Sequence, residues 1–472
     1  MLETRPPAGD TADGARDLRR SPRQLALRAV VPVVLWLAVS AAGWARLTPE
    51  VRNTVWAEDG KVFLDQQVDM GVLGALFHDY AGYLHVVPRL VVALASHVGS
   101  IDRFAVMVTL LCVLVTGAVG AAVYVLTEGV LRSVVARVLL AFVPALMPLG
   151  PIEIQANAAN LHWFLMFLMP FALLTPVRSW TKGIVLGVVT LLAGLTEIQI
   201  VAFFPLFLLG IRNRRRWPVI LGSVLGGGAQ VVTTLLHPRA SAPVPHNSLA
   251  DLVLGYVVEP VAGAATWRMA DVGQAIASHG LAVVLVPFAL LVVLVALGLW
   301  FGVAGQRWVL ASMVWGSAVV WFGGTVLNPN AMLAFAHFGP ADWPGIWTFR
   351  YTAAGSLWVL AGVVVVADVA LGRARLGTLV PWSRGDDRPT RASVWSGVAG
   401  LALALAVVVV VAVNASVPAA NRQGGPIWDQ QIDSSETTCA RTLSADATVQ
   451  IAPGPQWAFT VPCALIDQDD AR

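Results

Sequence analysis

Apolar runs of membrane-spanning length, repeated along the whole chain, constrain this sequence more than any other feature. A helix that crosses a bilayer needs roughly 17–25 mostly apolar residues. Hydrocarbon offers no water to backbone N–H and C=O groups, so each segment must pair its own. About eleven such runs are present, near 26–44, 104–126, 133–149, 161–176, 182–195, 198–211, 217–236, 280–303, 307–327, 351–371 and 394–414. The fifth and sixth are short, with Arg178 and Lys182 before them and Arg212, Arg214, Arg215 and Arg216 after. They read as one tight hairpin with Thr196 and Glu197 at its tip. The expected fold class is an all-α polytopic membrane protein of about eleven transmembrane helices.

Composition agrees. Only 12% of the 472 residues are charged, against about a quarter in soluble domains. The pI near 9.0 does not indicate nucleic acid, because no Lys/Arg stripe with interleaved aromatics occurs. Basic residues instead cluster at loop ends as topology signals. Placing the N-terminus inside puts 20 of the 31 Lys and Arg on the cytoplasmic side. The expectation is therefore a multi-pass plasma-membrane protein with a cytoplasmic N-terminus and an extracytoplasmic C-terminus. Residues 1–24 read as a disordered cytoplasmic arm without a cleavable signal. Residues 25–415 form the membrane domain, with outer segments 45–103, 150–160, 237–279 and 328–350. Residues 86–99 read as a helix lying at the interface. Residues 416–472 form a small outer tail with two strands, 448–452 and 457–461, joined by a Pro-Gly-Pro turn. Cys439 and Cys463, in an oxidising compartment, would pair and staple it. Cys112, inside an apolar run, reads as packing.

The polar residues gather in the outer segments. Loop 45–103 carries the adjacent acids Glu58 and Asp59, then Tyr80, Tyr83, His85 and Arg89. A carboxylate beside an acceptor hydroxyl can act as general base, and a neighbouring one can hold a divalent cation. A divalent cation on Asp59 or Glu58 is the one cofactor left open. Trp56 and the tyrosines suit stacking on sugar rings, while His85 and Arg89 suit a phosphate. Segment 150–160 and the next helix start add Glu153, Gln155, Asn157, Asn160, His162 and Trp163, with Asn160 placed to cap the helix from Leu161. A charge at mid-membrane costs about 2.5–3.5 kcal/mol, so Glu197 either lines a wet cavity or marks the outer boundary. Arg350, followed by Tyr351, is the only cation of segment 328–350 and calls for an anionic partner such as a lipid phosphate. No P-loop, Rossmann glycine fingerprint, zinc pattern or HExxH is present.

The inward N-terminus, the span number, the long first outer loop with Glu58-Asp59 and the paired hairpin ending at Arg212–Arg216 together resemble the GT-C superfamily of polyprenyl-phosphate-sugar-dependent glycosyltransferases. The stretches Trp56-Ala57-Glu58-Asp59-Gly60 and Gly82-Tyr83-Leu84-His85-Val86-Val87-Pro88-Arg89 resemble signatures of an actinobacterial branch. The resemblance implies that Asp59 or Glu58 deprotonates the acceptor and favours Asp59. It implies a sugar on a polyprenyl phosphate as donor and a cell-envelope glycan or lipid as acceptor. Tyr83, His85, Arg89, Asn157, His162, Glu197, Arg350 and Tyr351 would then bind substrate, with Arg89 and Arg350 steadying the leaving phosphate. The outer tail is far smaller than in the large arabinosyltransferases of that superfamily. Two other classes stay open: a transporter or lipid flippase, and a non-enzymatic envelope assembly protein.

Overall fold

A computed structural model describes residues 22–239, 246–374, 391–418, 420–442 and 445–466. The arm 1–21 and most of the loop after residue 374 lie outside the described residues. The described chain is mostly helical. Its main helices are α1 (Pro22–Ala45), α2 (Val86–Val98), α3 (Phe104–Leu126), α4 (Val134–Leu146), α5 (Leu161–Leu174), α6 (Trp180–Gly194), α7 (Trp217–Leu236), α8 (Ala282–Phe301), α9 (Ala304–Ala318), α10 (Arg350–Arg373), α11 (Arg391–Val413) and α12 (Trp428–Thr442). Among the described residues, seven helical stretches are long and apolar enough to cross a membrane, those built on α3, α4, α7, α8, α9, α10 and α11. The apolar helices at 29–45, 161–174, 180–194 and 198–208, four of the eleven expected runs, are shorter.

The short hairpin has a physical solution to its length. Its return limb, Ile198–Leu208, is an eleven-residue 3₁₀ helix rather than an α-helix. At about 2.0 Å per residue it covers roughly 22 Å. That matches the fifteen residues of α6 at 1.5 Å each. Helix α6 packs on α7 through facing small residues, which lets the backbones approach closely. A Cβ on Gly222 would lie 2.1 Å from the Gly187 carbonyl oxygen, so neither helix can move outward to admit a side chain without losing this contact.

Helix α10 is the central element. Its residues Ala353, Leu357, Ala361, Val364 and Val365 are fully buried. One acid sits inside it: Asp368 accepts from the Ser133 and Arg132 backbone N–H groups at 2.6 and 3.1 Å and from Gln306 Nε2 at 2.7 Å. Asp368 thus serves the start of α4, and three donors offset the cost of burying its carboxylate. Arg46 does the reverse at helix C-termini. Its guanidinium donates to the carbonyls of Ala145 and Met147, both at 2.9 Å, and of Asn414 at 3.0 Å. It joins the ends of α1, α4 and α11, where carbonyls lack intrahelical donors.

The tail packs on the first loop. Strands β1 (Asp446–Val449) and β2 (Phe459–Pro462) pair antiparallel, and Cys439 is bonded to Cys463. The strands are shorter than the expected 448–452 and 457–461. Residues after Val449 leave the pair to meet the first loop: Ala57 N donates to Ala452 O at 2.7 Å and Ala452 N to Val55 O at 3.1 Å. Helix α12, which the sequence did not suggest, seats Trp428 against Phe104 and sends its indole N–H to Ile101 O at 2.6 Å. The disulfide closes a separation of 24 residues, worth about 3 kcal/mol on the chain-entropy scale. Replacing Cys439 and Cys463 by Ser is expected to raise the rate of limited proteolysis within 428–466 at least tenfold while the helical domain stays intact. An unchanged cleavage rate would show that packing on the first loop suffices.

Candidate functional site

The adjacent acids are driven apart by local geometry. Glu58 and Asp59 open a wide, π-helical turn at Asp59–Leu64, where neighbouring side chains still point about a quarter-turn apart. Asp59 turns inward and is 1% exposed. Its two oxygens accept the backbone N–H groups of Ala158 and Ala159, each at 2.8 Å. These bonds hold a contorted turn in which Ala156 has a φ of +61°, a conformation costing a non-glycine residue about 1–2 kcal/mol. Arg422, from the tail, is buried nearby and donates to Gln155 O at 2.9 Å. Burial pushes the Asp59 carboxyl up from 3.8 to about 7, against the two backbone bonds and the Arg422 charge.

Glu58 turns the other way. Its Oε1 meets Arg350 Nη1 at 3.2 Å, and Arg350 Nε meets Glu153 Oε1 at 3.0 Å. One guanidinium from the start of α10 therefore bridges two carboxylates from separate loops. Glu58 Oε2 is buried and has no hydrogen-bond partner among the described residues. Burial raises the Glu153 carboxyl above its ordinary value, with Arg350 opposing. The Arg350 side chain is 34% exposed, so this cluster has an open edge.

Aromatic and imidazole groups line the same region. Tyr83 lies 4.1 Å from His85 between ring centroids and 6.4 Å from His162. His162 Nδ1 pairs with Glu197 Oε2, while Glu197 Oε1 caps the 3₁₀ limb by accepting from Gln199 N at 2.8 Å. Tyr351 packs edge-on against Trp163 at 6.0 Å. Burial, with His162 facing it, pulls the His85 imidazole well below its ordinary value. A separate groove of about 530 Å³ is lined by residues that include Ile152, Trp267, Arg268, Asp271, Trp347 and Asn421; Glu58, Glu153 and Arg350 do not line it.

The structure thus gathers Glu58, Tyr83, His85, His162, Glu197, Arg350 and Tyr351 into one neighbourhood. It gives three of the expected residues other surroundings. Asp59 is occupied by backbone. Asn157 Oδ1 accepts from Asn160 N at 3.1 Å and organises its own turn. Arg89 is 3% exposed, lies over the Phe63 ring at 4.9 Å and donates to Gln66 Oε1 at 2.6 Å. Trp56 is 3% exposed and sits under the tail, closed to stacking on a sugar. Asn160 stands at the N-cap position of α5 but makes no capping bond with its side chain. Arg350 has its anionic partner within the protein, in Glu58 and Glu153. The two adjacent acids do not suit a divalent cation: Asp59 has both oxygens taken by N–H donors, and Glu58 already faces a guanidinium. Among the described residues no group of three His, Cys, Asp or Glu side chains is placed to hold a metal ion.

Sequence reasoning placed Glu153 among the polar residues of segment 150–160 without pairing it with Arg350, and did not single out Arg422 or Glu259. Glu259 is fully buried, pairs with Thr352 near the start of α10, and is pushed by burial up to about 8. An acid in a largely apolar run, Val257-Val258-Glu259-Pro260-Val261, was the available signal for it. Arg422 offered none, since only the folded tail brings it beneath Asp59. No protein-family model, curated protein or solved structure matches this chain.

Two outcomes follow from the divergence of the acids. Asp59→Asn turns one acceptor into a donor facing a backbone N–H, which is expected to cost about 1–3 kcal/mol and to lower the thermal midpoint in detergent. Glu58→Gln is expected to shift that midpoint far less. The pH dependence has a definite sign. The folded Asp59 carboxyl lies near 7 rather than 3.8, so the folded chain takes up a proton between those values. Its contribution to stability is full below pH 3.8 and is lost as pH rises through about 7. Thermal melts across this window should fall with pH in the parent chain and fall less steeply in Asp59→Asn, the remainder coming from the raised carboxyls of Glu153 and Glu259. Equal slopes in both would assign the dependence elsewhere.

Proposed function

We propose that this chain is a membrane glycosyltransferase of the GT-C type, moving a sugar from a polyprenyl-phosphate donor to a cell-envelope glycan or lipid acceptor. In this reading about eleven segments cross the plasma membrane, the N-terminus is cytoplasmic, and the acid cluster faces outward with the C-terminal tail. The observation that carries it is the Glu58–Arg350–Glu153 bridge at an open, tyrosine-lined edge. Glu58 is the base, because its Oε2 is unpaired whereas both Asp59 oxygens are occupied. The acceptor hydroxyl gives its proton to Glu58 as its oxygen bonds to the anomeric carbon. The bond from that carbon to the phosphate oxygen breaks, and the lipid phosphate leaves with the electron pair. Arg350 keeps N–H groups beyond the two pointed at Glu58 and Glu153, and these with the Tyr83 and Tyr351 hydroxyls meet the leaving phosphate. Trp267 and Trp347, which line the groove, suit an acceptor sugar.

A transporter or flippase would need ionisable groups free to exchange ions near mid-membrane. Asp368 has three donors and Glu197 is bound to His162 and Gln199, which favours the transferase over that reading. The test is transfer of labelled sugar from polyprenyl phosphate in membranes carrying each variant at matched levels. Glu58→Gln is expected to lower turnover by about 10²–10⁴, the usual worth of a general base. Arg350→Lys is expected to weaken donor use, because a point charge replaces a fork that serves two acids and a phosphate at once. Full transfer by Glu58→Gln, or no transfer by the parent chain with any lipid-linked sugar, would sink the proposal.

A further inference from the structure

The opposite end of the hairpin carries a second concentration of charge. Helix α5 runs away from His162, and α6 runs back toward Glu197, so the segment between them lies at the far end. The 3₁₀ limb returns to that end, where α7 begins. Segments 175–182 and 210–217 therefore meet there. Arg178, Arg212, Arg214 and Arg215 are all exposed, and Lys182 is half-buried. None of the five forms an ion pair with an acid among the described residues; Glu128 is the one acid acting on Lys182 at longer range.

These cations stand on a rigid double loop. Arg215 Nη1 donates to Arg178 O at 2.7 Å, and Asn213 Nδ2 donates to Val177 O at 2.9 Å. Arg216 is buried beneath them and donates to the carbonyls of Leu173 and Leu209. Two tryptophans flank the patch, Trp180 at 53% and Trp217 at 55% exposure. Below them, α6 exposes Ile184, Val185 and Val188, and α7 exposes Leu221, Val224 and Leu225. Clustered cations, half-exposed indoles and an adjoining aliphatic face match, in order, the phosphate, the interface and the acyl chains of a lipid.

We propose that this end of α6 and α7 is a binding site for an anionic phospholipid, with Arg178, Arg212, Arg214 and Arg215 contacting the headgroup phosphate. Guanidinium forks bind phosphate oxygens in pairs, and the N-termini of α6 and α7 add their positive dipole ends to the same surface. The site is independent of the acid cluster and of any sugar transfer.

The test is a titration of the purified full chain in neutral detergent with phosphatidylglycerol and phosphatidylcholine of identical acyl chains, followed by native mass spectrometry. The Arg212 and Arg214 side chains make no hydrogen bond or ion pair with described residues, so Arg212→Gln with Arg214→Gln leaves the fold intact. Each cation near an anionic headgroup is worth about fivefold in affinity, so the double variant should lose roughly 25-fold for phosphatidylglycerol and little for phosphatidylcholine. Arg103→Gln, an exposed cation already paired with Asp102, should retain the preference. Millimolar inorganic phosphate should not displace the lipid. Equal affinity for the two lipids, an unchanged preference in the double variant, or displacement by inorganic phosphate alone would each overturn the assignment.

Discussion

The contact between the Asp59 carboxylate and the N–H groups of Ala158 and Ala159 is the joint on which the polar region depends. It fastens the first loop to the turn before α5, and Arg422 brings the tail to the same point. The turn it holds contains Glu153, one of the two acids that grip Arg350. Loss of the joint would therefore loosen more than one hydrogen bond. A buried carboxylate is costly unless donors surround it, and here the two backbone donors oppose that cost without cancelling it, since the carboxyl is still pushed up to about 7.

The same rule governs the other buried charges. Asp368 collects three donors at the start of α4, Arg46 collects carbonyls at the ends of α4 and α11, and Arg216 does so at the ends of α5 and the 3₁₀ limb. In an apolar chain each of these ions marks a helix terminus, where backbone groups lack intrahelical partners. The Glu58–Arg350–Glu153 bridge differs from them. Its guanidinium reaches an open edge while both carboxylates stay largely buried, and the buried Glu58 Oε2 has no partner among the described residues. That contrast, rather than the presence of charge, distinguishes the candidate site from the scaffold.

Much of the architecture was legible along the chain. The apolar runs stand out because a spanning helix must pair its own backbone, and the basic flanks of the hairpin marked its two ends. The gathering of polar residues in the segments around Glu58, His162 and Arg350 was equally visible, because a largely apolar chain leaves few positions for them. Two features were not legible. The return limb of the hairpin looked like a short α-helix, since the same apolar residues serve a 3₁₀ helix of greater rise. Helix α12 did not show because its hydrophobic contacts come from the first loop and the start of α3, not from a periodic face of its own.

Which of the two adjacent acids meets Arg350 was decided by tertiary structure alone. Sequence established that Glu58 and Asp59 sit together after the first apolar run, and that helical neighbours would diverge. What each one meets is set by partners 292 residues away for Glu58 and 99 residues away for Asp59. Burial and hydrogen bonding, not residue type, separate a carboxylate fixed to backbone from one left with a free oxygen. Those depend on how distant segments pack, and no local pattern encodes them.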